Sequence, residues 1–176
     1  MNALTANMQR VFLALWPDDR VRSELADLVS ACAAQVDGRP VAREKIHMTL
    51  VFLGALSETE IAAVNNCVDG LPDLYADLSL DRLGFWRHNG IVWAGCRHTE
   101  PGLQAFVGDL RERLARLGFR VERRAFSSHV TLLRRARNRP RLPAPRIDWP
   151  VTGIELVRSH LQPTGSEYEV LRRWGA

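Results

Sequence analysis

The sequence predicts an α+β fold: two lobes with approximate two-fold symmetry, mainly antiparallel sheets lining a central cleft, and helices on the outside. Three observations lead there. The phrase His47-Met48-Thr49-Leu50 returns as His129-Val130-Thr131-Leu132, nearly half a chain later. Each copy follows a helical pattern and sits among β-favouring residues, so the halves share one grammar. Strands and helices succeed one another without a strict β-α-β rhythm, which favours antiparallel pairing. No shift of composition divides the chain, and residues 1–176 are expected to form one bilobal domain.

The elements follow in order. Arg10 to Trp16 reads as a strand closed by Pro17, with Asp18 or Asp19 as a helix cap. Val21, Leu25, Leu28, Val29 and Cys32 fall at helical spacing, which predicts a helix from Val21 to about Val36. Gly38-Arg39-Pro40 breaks it. Glu44 to Leu53 is the strand with the first phrase, ended by Gly54. Ser57 and Glu60 form a capping-box pattern for a helix that runs to about Val68. Leu78 to Trp86 and Ile91 to Cys96 read as strands joined by a turn at His88-Asn89-Gly90. Pro101 opens a third helix, with Leu103, Phe106, Val107, Leu110, Leu114 and Leu117 on its apolar face and Gly118 as its stop. Ser128 to Leu133 is the strand with the second phrase. An arginine- and proline-rich loop spans Arg134 to Arg146, and Val151 to Ser159 and Tyr168 to Trp174 finish as strands.

Composition narrows the class. The chain is 46% hydrophobic and 25% charged, as ordinary globular proteins are. Val11 to Trp16 is too short for the apolar region of a signal peptide. No run is long enough to span a bilayer. Cys32, Cys67 and Cys96 are far apart and odd in number, with neither a zinc spacing nor a disulfide framework. A reduced, cytoplasmic monomer is expected, without membrane contact. Net charge is +4, and Lys45 is the only lysine. Arginine suits phosphate, although near-total replacement of lysine also follows from a GC-rich genome.

The repeated phrase carries the chemistry. Strand side chains alternate, so His47 shares a face with Thr49, and His129 with Thr131. Histidine titrates near pH 6.5 and can stand as base or acid. Phosphodiester cleavage needs one of each, on opposite sides of phosphorus. The two threonines would donate to the non-bridging oxygens. Neither residue type fixes which histidine is the acid.

On these residues the chain resembles the 2H phosphoesterases, named for two His-x-Thr/Ser-x motifs. Within them it is similar to the RNA 2′,3′-cyclic phosphodiesterases, once called 2′-5′ RNA ligases. Arg10 to Leu15, Glu44 to Leu50 with Phe52-Leu53-Gly54, Ser128 to Arg134, and the closing Leu156 to Ser159 and Tyr168 to Leu171 carry the likeness. The resemblance implies hydrolysis of an RNA-terminal 2′,3′-cyclic phosphate to a 2′-phosphomonoester, without metal or other cofactor. It implies His47 as general acid, His129 as general base, and Thr49, Thr131 and Arg134 on the phosphate. Ser128 departs from the proline that many members carry there. Arg134 lies five residues past His129, so strict alternation sends it to the opposite face unless the strand bulges or ends. Phe52 beside the first motif is a candidate nucleobase contact, although alternation from His47 points it to the core. Phe12, Trp86, Trp93 and Trp149 read first as core. His88 and His98 read as surface residues, while His160 could approach the cleft.

Other readings stay open: 2′-5′ RNA ligation, hydrolysis of small cyclic nucleotides, or an RNA- or nucleotide-binding module without turnover. A metal site would join the two histidines to carboxylates such as Asp81 or Glu122. The arginines from Arg134 to Arg146 form either an RNA guide or a solvated loop. No P-loop pattern is present, which leaves a nucleoside triphosphatase unsupported.

Overall fold

Val11, Phe12, Leu13, Ala14 and Leu15 are all buried. A strand covered on both faces belongs inside a sheet, and this one does. In the computed structural model, which describes residues 8–163 and 165–175, β1 (Gln9–Leu15) lies between β3 (Met48–Leu56) and β9 (Gly153–Gln162), with β10 (Gly165–Gly175) outside β9. Every pairing is antiparallel. A second antiparallel sheet has the order β2 (Arg39–Pro40), β7 (His129–Arg134), β6 (Ile91–Gly95), β5 (Arg82–Trp86). A ribbon of β4 (Ala76–Leu80) and β8 (Ile147–Val151) completes the strands. The expected α+β class with mainly antiparallel sheets holds.

The helices form where caps and apolar spacing predict them. α1 (Asp19–Ala33) is capped by Asp18, whose carboxylate accepts from the Val21 amide at 2.8 Å. α2 (Glu58–Asp69) opens with the full Ser57–Glu60 capping box. α3 (Pro101–Arg116) has Pro101 in its first turn and the Glu100 carboxylate on the Gly102 and Leu103 amides. α1 buries Val21, Leu25, Val29 and Cys32; α3 buries Leu103, Phe106, Val107, Leu110 and Leu114. α1 lies against β7 and α3 against β3, so each helix braces a strand of the other half. One apolar core joins residues of all three helices and both large sheets. Each fully buried leucine there contributes on the order of 1.5–3 kcal/mol.

Several expected boundaries move. Arg43–Lys45 forms a 3-10 turn instead of strand, so His47 stands just before β3. Gly54 does not end that strand; it takes a positive φ of 79° and the strand continues to Leu56. The stretch from Leu78 to Trp86 is two strands in different sheets, parted at Asp81, whose carboxylate accepts from the Arg97 amide. Arg39-Pro40, read as a breaker, makes a short edge strand on β7. β8 (Ile147–Val151) begins directly after the expected loop, ahead of the strand expected from Val151, and contains Pro150. A two-stranded ribbon tolerates proline because one side of each strand has no ladder to lose. α1 stops at Ala33, short of Val36.

Candidate active site

The two phrases share one local design. His47 Nδ1 lies 2.7 Å from the carbonyl of Lys45, and His129 Nδ1 lies 2.8 Å from the carbonyl of Ser127. A carbonyl only accepts, so each Nδ1 must be the donor. In the neutral ring, each Nε2 then keeps its lone pair. His47 Nε2 is 3.1 Å from Thr49 Oγ1, which donates to it.

The strand phase then changes, in the same place, in both halves. Ala14 pairs with Thr49 and Leu13 with Val51, so Leu50 is an extra residue in β3. Trp93 pairs with Thr131 and Val92 with Leu133, so Leu132 is an extra residue in β7. Each is a β-bulge. Leu50 and Val51 are both buried, as are Leu132 and Leu133. Past each bulge, the next side chain returns to the face of histidine and threonine. Phe52 is therefore 66% exposed, with its ring 6.0 Å from Phe12, itself 5.2 Å from His47. The expectation that alternation drives Phe52 into the core is corrected by this bulge. Arg134 emerges on the His129 face by the same device; its charge adds to the lowering of the His129 and His47 pKa and opposes the rise that burial gives Tyr168.

The surroundings of the histidines differ. Trp16 stacks flat on His47, centroids 4.8 Å apart at 11°, and Tyr168 meets the imidazole edge-on at 5.3 Å. Burial in this aromatic box is the main reason that the His47 pKa falls to about 4. The Lys45 carbonyl opposes the fall, while Arg134 and His129 add to it. His129 is lined by Trp86 at 4.6 Å and Trp93 at 6.4 Å, both nearly perpendicular to it. Its pKa is also lowered, first by burial and then by Arg134, against the raising effect of the Ser127 carbonyl. Trp93 can occupy this position because Gly84 has no side chain; a Cβ there would stand 2.1 Å from its ring. That His47 feels the charge of His129 places the two imidazoles within electrostatic reach of each other.

The arrangement belongs with a known group. The sequence matches the family model described as the 2′-5′ RNA ligase superfamily over residues 17–163. The chain belongs to this superfamily. It is 32% identical over 168 residues to the RNA 2′,3′-cyclic phosphodiesterase of Escherichia coli (strain K12), covering 94% of this chain and 96% of that one. It is 30% identical to the enzyme of the same name from Thermus thermophilus, covering 94% and 89%. The E. coli LigT crystal structure in its apo form superposes with a TM-score of 0.87 at 30% identity, covering 97% of this chain and 98% of that one. LigT has also been crystallised with 3′-AMP.

Within this superfamily member, the other singled-out residues fall as follows. Ser128, in place of the commoner proline, is buried with its hydroxyl 3.0 Å from that of Thr99, which ties down the entry to β7. Trp93 and Trp149 are buried, while Trp86 borders His129. His160 does not join the histidines; its Nε2 is 3.1 Å from the Glu169 carboxylate. Asp81 and Glu122 accept from the backbone amides of Arg97 and Arg124. Among the described residues no group of three His, Cys, Asp or Glu is arranged to hold a metal ion, and no helix is long and apolar enough to cross a membrane. The arginine loop is partly anchored, since Arg139 donates to the Leu83 carbonyl at 3.1 Å. Sequence reading missed Trp16 and Tyr168. The signal for Trp16 was present: it continues the alternation of Phe12 and Ala14 past the end of β1.

Proposed function

We propose that the protein hydrolyses the 2′,3′-cyclic phosphate end of RNA to a 2′-phosphomonoester by metal-independent acid–base catalysis. One observation supports this most: a single cation, Arg134, perturbs both imidazoles at once. An anion held by Arg134 would lie within electrostatic reach of both imidazoles, one to serve as base and the other, once protonated, as acid on opposite sides of phosphorus. The relatives from Escherichia coli and Thermus thermophilus bear the name RNA 2′,3′-cyclic phosphodiesterase, which supports the choice of substrate.

The cleft without substrate holds both histidines neutral at pH 7. That is the state a general base needs, and His129 takes the proton of the attacking water. His47 is the acid for the departing 3′ oxygen and must first gain a proton. A bound phosphodiester anion offsets Arg134 and stabilises the imidazolium, which raises the His47 pKa only when substrate is present. Trp16, lying flat on the ring, favours that cation through its π face. Once His47 is protonated, Nε2 no longer accepts from Thr49, and the Thr49 hydroxyl is free to donate, with that of Thr131, to the non-bridging oxygens beside the Arg134 guanidinium. Phe52 offers its exposed face to the terminal base.

The test is incubation with an RNA ending in 2′,3′-cyclic phosphate, in EDTA, followed by 31P NMR of the product. A 2′-phosphomonoester formed at undiminished rate is expected. A 3′-phosphate, or turnover that needs an added metal, overturns the reading.

A further inference from the structure

Arg39 is the register partner of Arg134 across the β2–β7 ladder. Directly opposed residues of an antiparallel pair project to the same face, and like charges so placed repel. Among the described residues neither guanidinium has a hydrogen bond or carboxylate partner, whereas eight other arginines are in ion pairs. Two unpaired cations side by side on a cleft face form a place for an anion.

The two arginines do not reach the same spot. The Arg134 charge acts on both histidines, while Arg39 stands one strand further out, at the edge of the sheet. Its guanidinium packs over Gly165 at the start of β10; a Cβ there would lie 2.9 Å from Nη2. Gly165 adopts a φ of 137°, a conformation that glycine supplies. Arg39 thus spans from one lobe to the hairpin of the other, just outside the histidines. The surface beside Trp16 differs. Past Trp16 the surface opens into a groove of about 560 Å³ whose charged lining is Asp18, Glu44 and Glu155 with Arg22 and Arg173. That groove offers a polyanion little net attraction, since Glu155 and Arg173 are paired with each other and Arg22 shares the lining with Asp18 and Glu44.

We infer that Arg39 binds the phosphodiester one nucleotide upstream of the cyclic end, so that the RNA strand leaves the cleft over β2. This rests on the reading of the cleft as a cyclic-phosphate site, and it makes oligonucleotides, rather than free cyclic nucleotides, the preferred substrate class.

The experiment compares three substrates: a 2′,3′-cyclic mononucleotide, a dinucleotide with a cyclic end, and the same dinucleotide with an uncharged methylphosphonate linkage. For the dinucleotide, Arg39→Gln is expected to lower kcat/KM about tenfold, and to reduce the slope of log kcat/KM against log salt by about one. For the methylphosphonate dinucleotide and the mononucleotide, the wild type and the variant should differ by less than about twofold, within the scatter expected for removing a surface contact. An equal loss on all three substrates overturns the proposal, because Arg39 then serves the scissile phosphate or the hairpin. No loss on the dinucleotide overturns it as well. If the wild type turns over none of them, the reading of the cleft fails instead. Binding of the diester against the methylphosphonate dinucleotide, measured on wild type and Arg39→Gln, still decides the role of Arg39.

Discussion

The strand after His47 and the strand after His129 use one backbone plan for different ends. Both pin Nδ1 to the carbonyl two residues back, and both insert a bulge at the leucine of the phrase. Both then return the next available side chain to the cleft. In the first half that side chain is Phe52; in the second it is Arg134. The difference extends outward. His47 sits among Trp16, Phe12 and Tyr168, while the Arg134 side of the cleft adds Arg39. The comparison teaches that the repeated part is the backbone geometry around each histidine. The residue after each bulge divides the labour, aromatic in one lobe and cationic in the other.

The sharpest way to break this comparison is to remove either imidazole. His47→Ala and His129→Ala should each lower kcat about 10²–10⁴-fold, as loss of a general acid or base does. Circular dichroism should stay unchanged, because neither ring belongs to the main core. Near-full activity in either variant would end the two-histidine reading.

Next is the residue behind the second bulge. Arg134→Ala removes the cation that reaches both rings. It should lower kcat/KM on the order of 10²-fold, and NMR titration should show the pKa of His47 and of His129 rising together. A rise in only one of them would mean that Arg134 does not lie between the rings.

Its counterpart should behave differently. Phe52→Ala removes an exposed stacking face, so KM should rise on the order of 5–100-fold, with kcat nearly constant and both histidine titrations unmoved. If kcat falls instead, Phe52 supports His47 and the proposed division of labour is wrong.

The smallest effect is on stability. The folded pKa of His47 is about 4, below the value of 6.5 for a free histidine. Between these values the unfolded chain binds more protons than the folded one, so stability rises with pH across that window. The stabilising effect of the neutral buried ring is complete above pH 6.5 and is lost as pH falls toward 4. Urea titrations at pH 4.5 and 7 should show this loss in wild type and a smaller one in His47→Gln. An equal loss in both would assign the acid sensitivity to other groups.

The sequence by itself determined the repeated histidine and threonine, their common face, and the starts of all three helices. These depend on neighbours a few residues apart: strand alternation acts two residues on, and an N-cap reaches three. Tertiary structure decided the rest. A bulge belongs to a pair of strands, so the side taken by Phe52 and Arg134 was not readable from either strand alone. The split at Asp81 and the strand through Pro150 likewise depended on which partner each segment met. Trp16 and Tyr168 converge on His47, and Arg39 comes into register with Arg134, only because segments distant in sequence are brought together by the fold. Local sequence carries no record of such neighbours, and those neighbours set the charge state of both histidines.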